Sequence, residues 1–205
     1  MVMQEGIDIE ELDLKGLEIL KSNMNKEFRI FGKQVIKDIL FGKHNKDLNK
    51  EIEEYYKDFK TWPLKRVGKP TGLNKYKEYI KQDSTPGRIF SELHLKCPYN
   101  TKSAIYYNDL LKFKEYDKSF PSILVGDRIF CINLKPNEYK INSIALPNDK
   151  IPKEIEDWVF KNVDYEGIFD SLLGNKLEEL FKDIKWSYPN LKINNNILNK
   201  FFKFK

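Results

Sequence analysis

The chain has 205 residues, of which 40% are apolar, 33% charged and 14% aromatic, with a formal net charge of +5. This composition excludes a disordered or fibrous chain and fits one domain or two. No stretch reaches the roughly 18–20 consecutive apolar residues of a membrane span, and two cysteines with two histidines exclude a disulfide scaffold or a zinc framework of known spacing.

Residues 5–20 alternate weakly through Ile7, Ile9, Leu12, Leu14, Leu17 and Ile19, which predicts an extended or looped entry segment. Lys21-Ser22-Asn23 then has helix-cap character. Phe28, Phe31, Val35, Ile36, Ile39 and Leu40 recur at helical spacing, predicting a helix over 24–42 that stops at Gly42. Leu48, Ile52, Tyr55, Tyr56 and Phe59 predict a second helix over about 46–60, ended by Trp62-Pro63, and the two form a helical hairpin. Residues 64–103 carry six glycines and prolines in poor periodicity, so mostly irregular surface chain with short strands is expected. A helix over about 101–114 follows. Ile123-Leu124, 128–134 and 143–146 read as β structure, with a turn at Gly126-Asp127. Pro152 opens a helix over about 153–161, and Ile168 to Phe181 keep helical spacing in a long one over 165–184. Tyr188-Pro189-Asn190 breaks that helix, and Asn-rich residues 194–196 precede an apolar tail at 197–205.

No catalytic constellation emerges. There is no glycine-rich phosphate loop, and neither His44 nor His94 has the cysteine or carboxylate neighbours of a triad or metal site. Glu53-Glu54 and Glu178-Glu179 lie among lysines on helices, a pattern of ordinary helix pairing. The acidic first residues lack the apolar core of a signal peptide, so a cytosolic chain is expected.

The binding signal is the basic middle of the chain. Lys65, Arg66, Lys69, Lys75, Lys77 and Lys81 cluster with Tyr76, Tyr79 and two glycines. Lysine neutralises phosphates and glycine lets backbone N–H groups approach them. Only Arg29, Arg66, Arg88 and Arg128 are arginine, and lysine reads base edges less well, so contacts to a nucleic-acid backbone are favoured over sequence readout. A solvated lysine-rich loop is the plain alternative.

Several motifs, in order, resemble a known family. Leu14-Lys15-Gly16-Leu17-Glu18-Ile19-Leu20-Lys21-Ser22-Asn23 resembles the Gly-Leu-Glu-x-x-Lys-Ser segment that joins palm to thumb in family B replicative DNA polymerases of the T-even phage type. Asn74-Lys75-Tyr76 is similar to the family's Ala-Lys-Tyr, and Lys96-Cys97-Pro98-Tyr99-Asn100-Thr101-Lys102 to Lys-Cys-Pro-Phe-His-Ile-Arg, with Asn100 in place of histidine and Lys102 in place of arginine. Val125-Gly126-Asp127-Arg128-Ile129, Ile144-Ala145-Leu146-Pro147, Asp164-Tyr165 and Leu177-Glu178 resemble further thumb segments. Leu198-Asn199-Lys200-Phe201-Phe202-Lys203-Phe204 is similar in apolar register to the family's terminal sliding-clamp peptide, with lysines where the family has aspartates.

The resemblance spans about residues 12–204 and implies an α+β, mostly helical, thumb-like fold. It implies an entry segment at 1–23, a thumb at 24–187 with β structure at about 120–147, and a clamp-binding tail at 188–205. It further implies that Lys21, Ser22, Asn23, Arg66, Lys69, Asn74, Lys75, Lys96 and Lys102 hold primer–template duplex DNA, and that Leu198, Phe201, Phe202 and Phe204 dock a sliding clamp. The family's Tyr-Gly-Asp-Thr-Asp-Ser metal-binding turn and exonuclease carboxylates are absent from the sequence. The implied arrangement is a split polymerase: a separate exonuclease–palm chain carries the two Mg ions, and this chain, without metal or catalytic residue, supplies the thumb. Two rivals remain: a free-standing DNA- or clamp-binding adaptor, and a small enzyme with an unrecognised site.

Overall fold

The computed structural model describes residues 25–191, which form a mostly helical α+β protein. They divide into two compact units, one of residues 25–61 with 166–191, the other of residues 62–165. The entry segment through Asn23 and the apolar tail at 197–205 lie outside the described residues.

In the first unit, helix α1 (Lys26–Leu40) starts at Asn25, whose side chain accepts the Glu27 N–H at 3.0 Å. The cap therefore falls at Asn25, later than the predicted Lys21-Ser22-Asn23. An asparagine oxygen here satisfies one of the amides that a first helical turn leaves unpaired. Gly42, at φ +80°, follows the helix end, and Lys43 N–H returns to Asp38 O. Helix α2 (Asn45–Phe59) runs back along α1, so Phe28 meets Tyr55 and Phe59 from the opposite end of its partner, with centroids at 5.7 and 5.0 Å. Phe169 joins this cluster at 5.9 Å from Phe28 and 5.0 Å from Tyr56.

The predicted long helix over 165–184 is instead three pieces. Helix α6 (Tyr165–Phe169) gives way to a π-helical turn (Asp170–Gly174) before helix α7 (Asn175–Asp183). Within the turn the chain packs too closely for a larger residue at Gly174, where a Cβ would lie 2.7 Å from Asp170 Oδ1 and 3.1 Å from the Phe169 ring. Apolar periodicity cannot register such a one-residue bulge. The chain leaves α7 through Lys185, at φ +59°, and Trp186 N–H bonds Phe181 O. The helix thus ends before Tyr188-Pro189. Ser187 then closes onto α2, its carbonyl accepting from the Asn45 and Asn49 amides at 3.0 Å each.

In the second unit, helix α3 (Leu64–Val67) leads into strand β1 (Lys69–Gly72). β1 is the edge of an antiparallel sheet ordered β1-β4-β5, with β4 (Arg128–Asn133) central and β5 (Ser143–Pro147) beyond it. An edge position tolerates Pro70, which has no N–H to give a ladder. Strands β2 (Ile80–Gln82) and β3 (Glu92–Leu93) form a small second ribbon. Helix α4 (Tyr99–Phe113) packs on β5, and helix α5 (Lys153–Asn162) follows it in sequence. Prolines 63, 98 and 152 cap α3, α4 and α5 at their N-termini, where the missing N–H costs nothing.

α4 is buried on nearly every side, polar residues included. Ser103 Oγ donates to Ser143 Oγ at 2.8 Å, and the Asp109 carboxylate accepts the Ser91 N–H at 2.8 Å. Ile123-Leu124, read from sequence as β structure, belongs to no strand. Both backbone groups of Ile123 bond the buried Asn108 side chain instead, at 2.8 and 2.9 Å. An apolar pair beside a turn looks like a strand end until a side chain supplies the pairing.

Candidate nucleic-acid interface

The expected DNA-binding residues among the described ones all fall in the second unit. Lys69 opens β1, exposed, across from Cys131 of β4. The chain leaves β1 at Gly72 and passes through Asn74 and Lys75, both exposed. Lys96 is exposed in the turn before α4, where Cys97 N–H bonds His94 O at 3.0 Å. Lys102 is half-buried on the first turn of α4, its N–H bonded to Pro98 O.

Two hydrogen bonds join these motifs, which lie more than twenty residues apart. Asn100 Nδ2 donates to Gly72 O at 2.9 Å, and Thr101 Oγ1 donates to Lys75 O at 3.1 Å. The start of α4 is thereby fastened along the Gly72–Lys75 backbone, which brings the chain at Asn74 and Lys75 beside the helix start that carries Lys102. Lys69 lies about 10 Å back along the strand from Gly72. The Asn100 amide is spent on this junction.

Arg66 is placed differently. Its guanidinium lies 3.7 Å from the centroid of the buried Trp62 ring, a cation–π contact on α3. Lys65, part of the basic cluster in sequence, donates to the carbonyls of Asn148 and Asp149 at 2.6 and 3.2 Å. Those bonds brace the chain after β5, and Lys65 is not among the residues expected to hold DNA. Lys21, Ser22, Asn23, Leu198, Phe201, Phe202 and Phe204 lie outside the described residues.

The electrostatics are those of a solvated cationic face. Lys75 pairs with Glu78 at 3.0 Å, which raises its pKa. Lys81 and Arg88 both reach Glu92, at 3.8 and 3.5 Å. Exposed pairs of this kind contribute little and are screened by salt, so a phosphate can replace the carboxylate partner. Burial pushes the Cys131 thiol up to about 11 and raises Cys97, with Lys102 opposing the shift at Cys97. Neither sulfur has the lowered pKa of a nucleophile. Among the described residues no group of three or more His, Cys, Asp or Glu is placed to hold a metal ion, and no helix is long and apolar enough to cross a membrane.

One residue adds to the cationic face without any signal in the sequence. Lys112, exposed on the last turn of α4, lines the same groove as Asn74, Lys75 and Lys77. It stands in a helix whose spacing reads only as core. Tyr76, noted for stacking, is half-buried with its hydroxyl accepting from Asn108 Nδ2 at 2.9 Å, and burial raises its pKa. Compared with known protein families and with curated proteins, the chain matches no family model and no curated sequence.

Proposed function

We propose that this chain is a duplex-DNA-holding module: the thumb of a split family B DNA polymerase whose exonuclease and palm reside on a separate chain. The supporting observation is the junction of Asn100 and Thr101 with the Gly72–Lys75 backbone. It joins two motifs that carry the resemblance, each bearing lysine, at one place in the fold. Lysines on a folded scaffold follow phosphates as point charges, which gives binding without sequence preference. Backbone contacts fix register on a duplex and leave base identity unread, as a polymerase requires of the grip on its product. The nucleotidyl transfer itself belongs to the partner, whose carboxylates hold the two Mg ions. The apolar tail at 197–205 tethers the assembly to a sliding clamp and raises its effective concentration at the primer end.

Fluorescence anisotropy of the full chain with labelled primer–template duplexes tests the grip. Unrelated sequences bind with equal affinity, and log Kd rises with log salt at about 0.9 per lysine–phosphate contact. A flat salt dependence overturns the reading. Primer extension tests the split: the chain copurifies from native lysate, after nuclease treatment, with a chain bearing palm motifs and restores processive synthesis to it. Deleting residues 197–205 removes clamp-dependent processivity and spares distributive synthesis; equal loss of both removes the tail's role.

A further inference from the structure

A groove of about 460 Å³ runs beside the proposed duplex contacts, entirely within the second unit. One wall is the segment Asn74–Lys77, and the other is Ile123–Val125, with α4 beneath. A single buried side chain holds both walls. Asn108 Nδ2 donates to Tyr76 Oη and to Ile123 O, both at 2.9 Å, while its Oδ1 accepts the Ile123 N–H at 2.8 Å. Beyond the groove, Leu73 N–H bonds Asp127 O at 3.1 Å and Leu73 O accepts the Gly126 N–H at 2.8 Å. The Leu124 N–H is fixed on Asp127 Oδ2 at 2.7 Å. The spacing of the walls is set by these bonds before any ligand arrives, which lowers the ordering cost of binding.

The lining has two chemistries. Leu124 and Val125 are 66% and 59% exposed, and the half-buried Tyr76 ring faces the same space. Lys75, Lys77 and Lys112 stand on the rim, with Glu78 as the one carboxylate of the lining. A flat apolar face joined to an anionic group is the chemistry of a nucleotide whose base is unpaired. Single-stranded DNA binds positive grooves in which aromatic side chains stack on its bases, and here Leu124 and Val125 add exposed apolar surface to a lining that includes Tyr76. A base inside a duplex has both faces stacked and offers neither to such a wall.

We infer that this groove binds an unpaired nucleotide of single-stranded DNA adjoining the duplex. The inference deepens the duplex-holding reading and rests on it for the neighbouring contacts. Three probes test it with the full chain by anisotropy: a blunt duplex, the same duplex with a short oligo(dT) overhang, and oligo(dT) alone. The overhang tightens binding about tenfold over the blunt duplex. Substituting Leu124→Ser and Val125→Ser together removes that gain and leaves blunt-duplex affinity unchanged; both side chains are exposed, so the fold is retained. Lys112→Ala reduces the gain and makes it less salt-dependent. An overhang that adds nothing, or a gain that survives L124S/V125S, overturns the inference. If in addition an acidic Glu/Leu peptide binds the wild type and loses binding in L124S/V125S, the groove serves a protein partner instead. Oligo(dT) binding that is lost in L124S/V125S, with no blunt-duplex binding, keeps the groove and overturns the duplex reading.

Discussion

The unit of residues 25–61 and 166–191 has a core of rings, whereas the unit of residues 62–165 has a core threaded with polar side chains. In the first, Phe28, Phe59 and Phe169 are at most 1% exposed and meet edge to face or tilted. Phe31 and Tyr55 stack beside them at 3.8 Å. In the second, Ser103, Asn108, Asp109 and Ser143 are all under 5% exposed, and each is hydrogen-bonded. Ring packing is governed by shape and area and tolerates substitutes of similar volume. A buried hydrogen bond is directional, and removing one partner strands the other. The contrast explains why the candidate interface lies where it does. The chain at 74–76 and 122–125 belongs to no strand, and side chains of α4 supply partners to its backbone at Lys75 and Ile123.

Truncation at the centre of the ring cluster breaks the comparison hardest. Phe169→Ala is expected to cost about 3–5 kcal/mol in urea unfolding, from lost transfer energy and the cavity left behind. Phe169→Leu should cost markedly less. If the two variants are equally unstable, the first unit depends on directional ring geometry and the contrast fails.

Asn108→Leu is the matching experiment in the second unit. It keeps volume but leaves the Ile123 N–H and carbonyl and the Tyr76 hydroxyl without their partner, at an expected cost of about 2–3 kcal/mol. Here the volume-conserving change is the damaging one, opposite to the first unit. Unfolding curves within experimental error of wild type would show that the polar bonds are incidental.

Next in size is the binding effect of the surface charges. Lys96→Glu with Lys102→Glu should weaken duplex binding and lower the salt slope by about 2. Thermal unfolding should stay near wild type, because neither ammonium supports the Asn100 and Thr101 junction. An unchanged slope would place the phosphates elsewhere.

The smallest effect is a pH dependence. Burial raises the Asp109 pKa above its ordinary 3.8, against the opposing hydrogen bonds from Ser91 and Ser84. The folded state therefore keeps a proton that the unfolded chain releases. Its contribution to stability is greatest below the ordinary carboxylate pKa and falls as pH rises through the folded pKa. Asp109→Asn does not titrate, so its stability relative to wild type should increase from about pH 4 upward before levelling. A difference that is constant with pH would mean that the carboxyl titrates normally.

Much of the first unit is legible in sequence because each helix buries one face. Phe28, Val35 and Ile36 on α1, and Leu48, Ile52, Tyr56 and Phe59 on α2, mark that face at 3.6-residue spacing. The π-turn at Asp170–Gly174 escapes because one extra residue in a turn leaves no mark on apolar periodicity. In the second unit the strands at 128–133 and 143–147 and helices α4 and α5 are legible within a few residues, whereas α3 falls in chain expected to be irregular. The use of the lysines is not. Lys65 and Lys75 look alike in sequence, yet one braces two carbonyls and the other lies exposed against Glu78.

The helical hairpin, the mostly helical α+β class and the basic character of the middle are all readable from the chain, because periodicity and charge are local properties of it. The tertiary structure alone decided which lysines face solvent, what Asn100 and Asn108 hold, and that a groove opens between Asn74–Lys77 and Ile123–Val125. Those outcomes depend on side chains from distant segments satisfying one another's backbone groups, and no local pattern encodes which donor will meet which carbonyl.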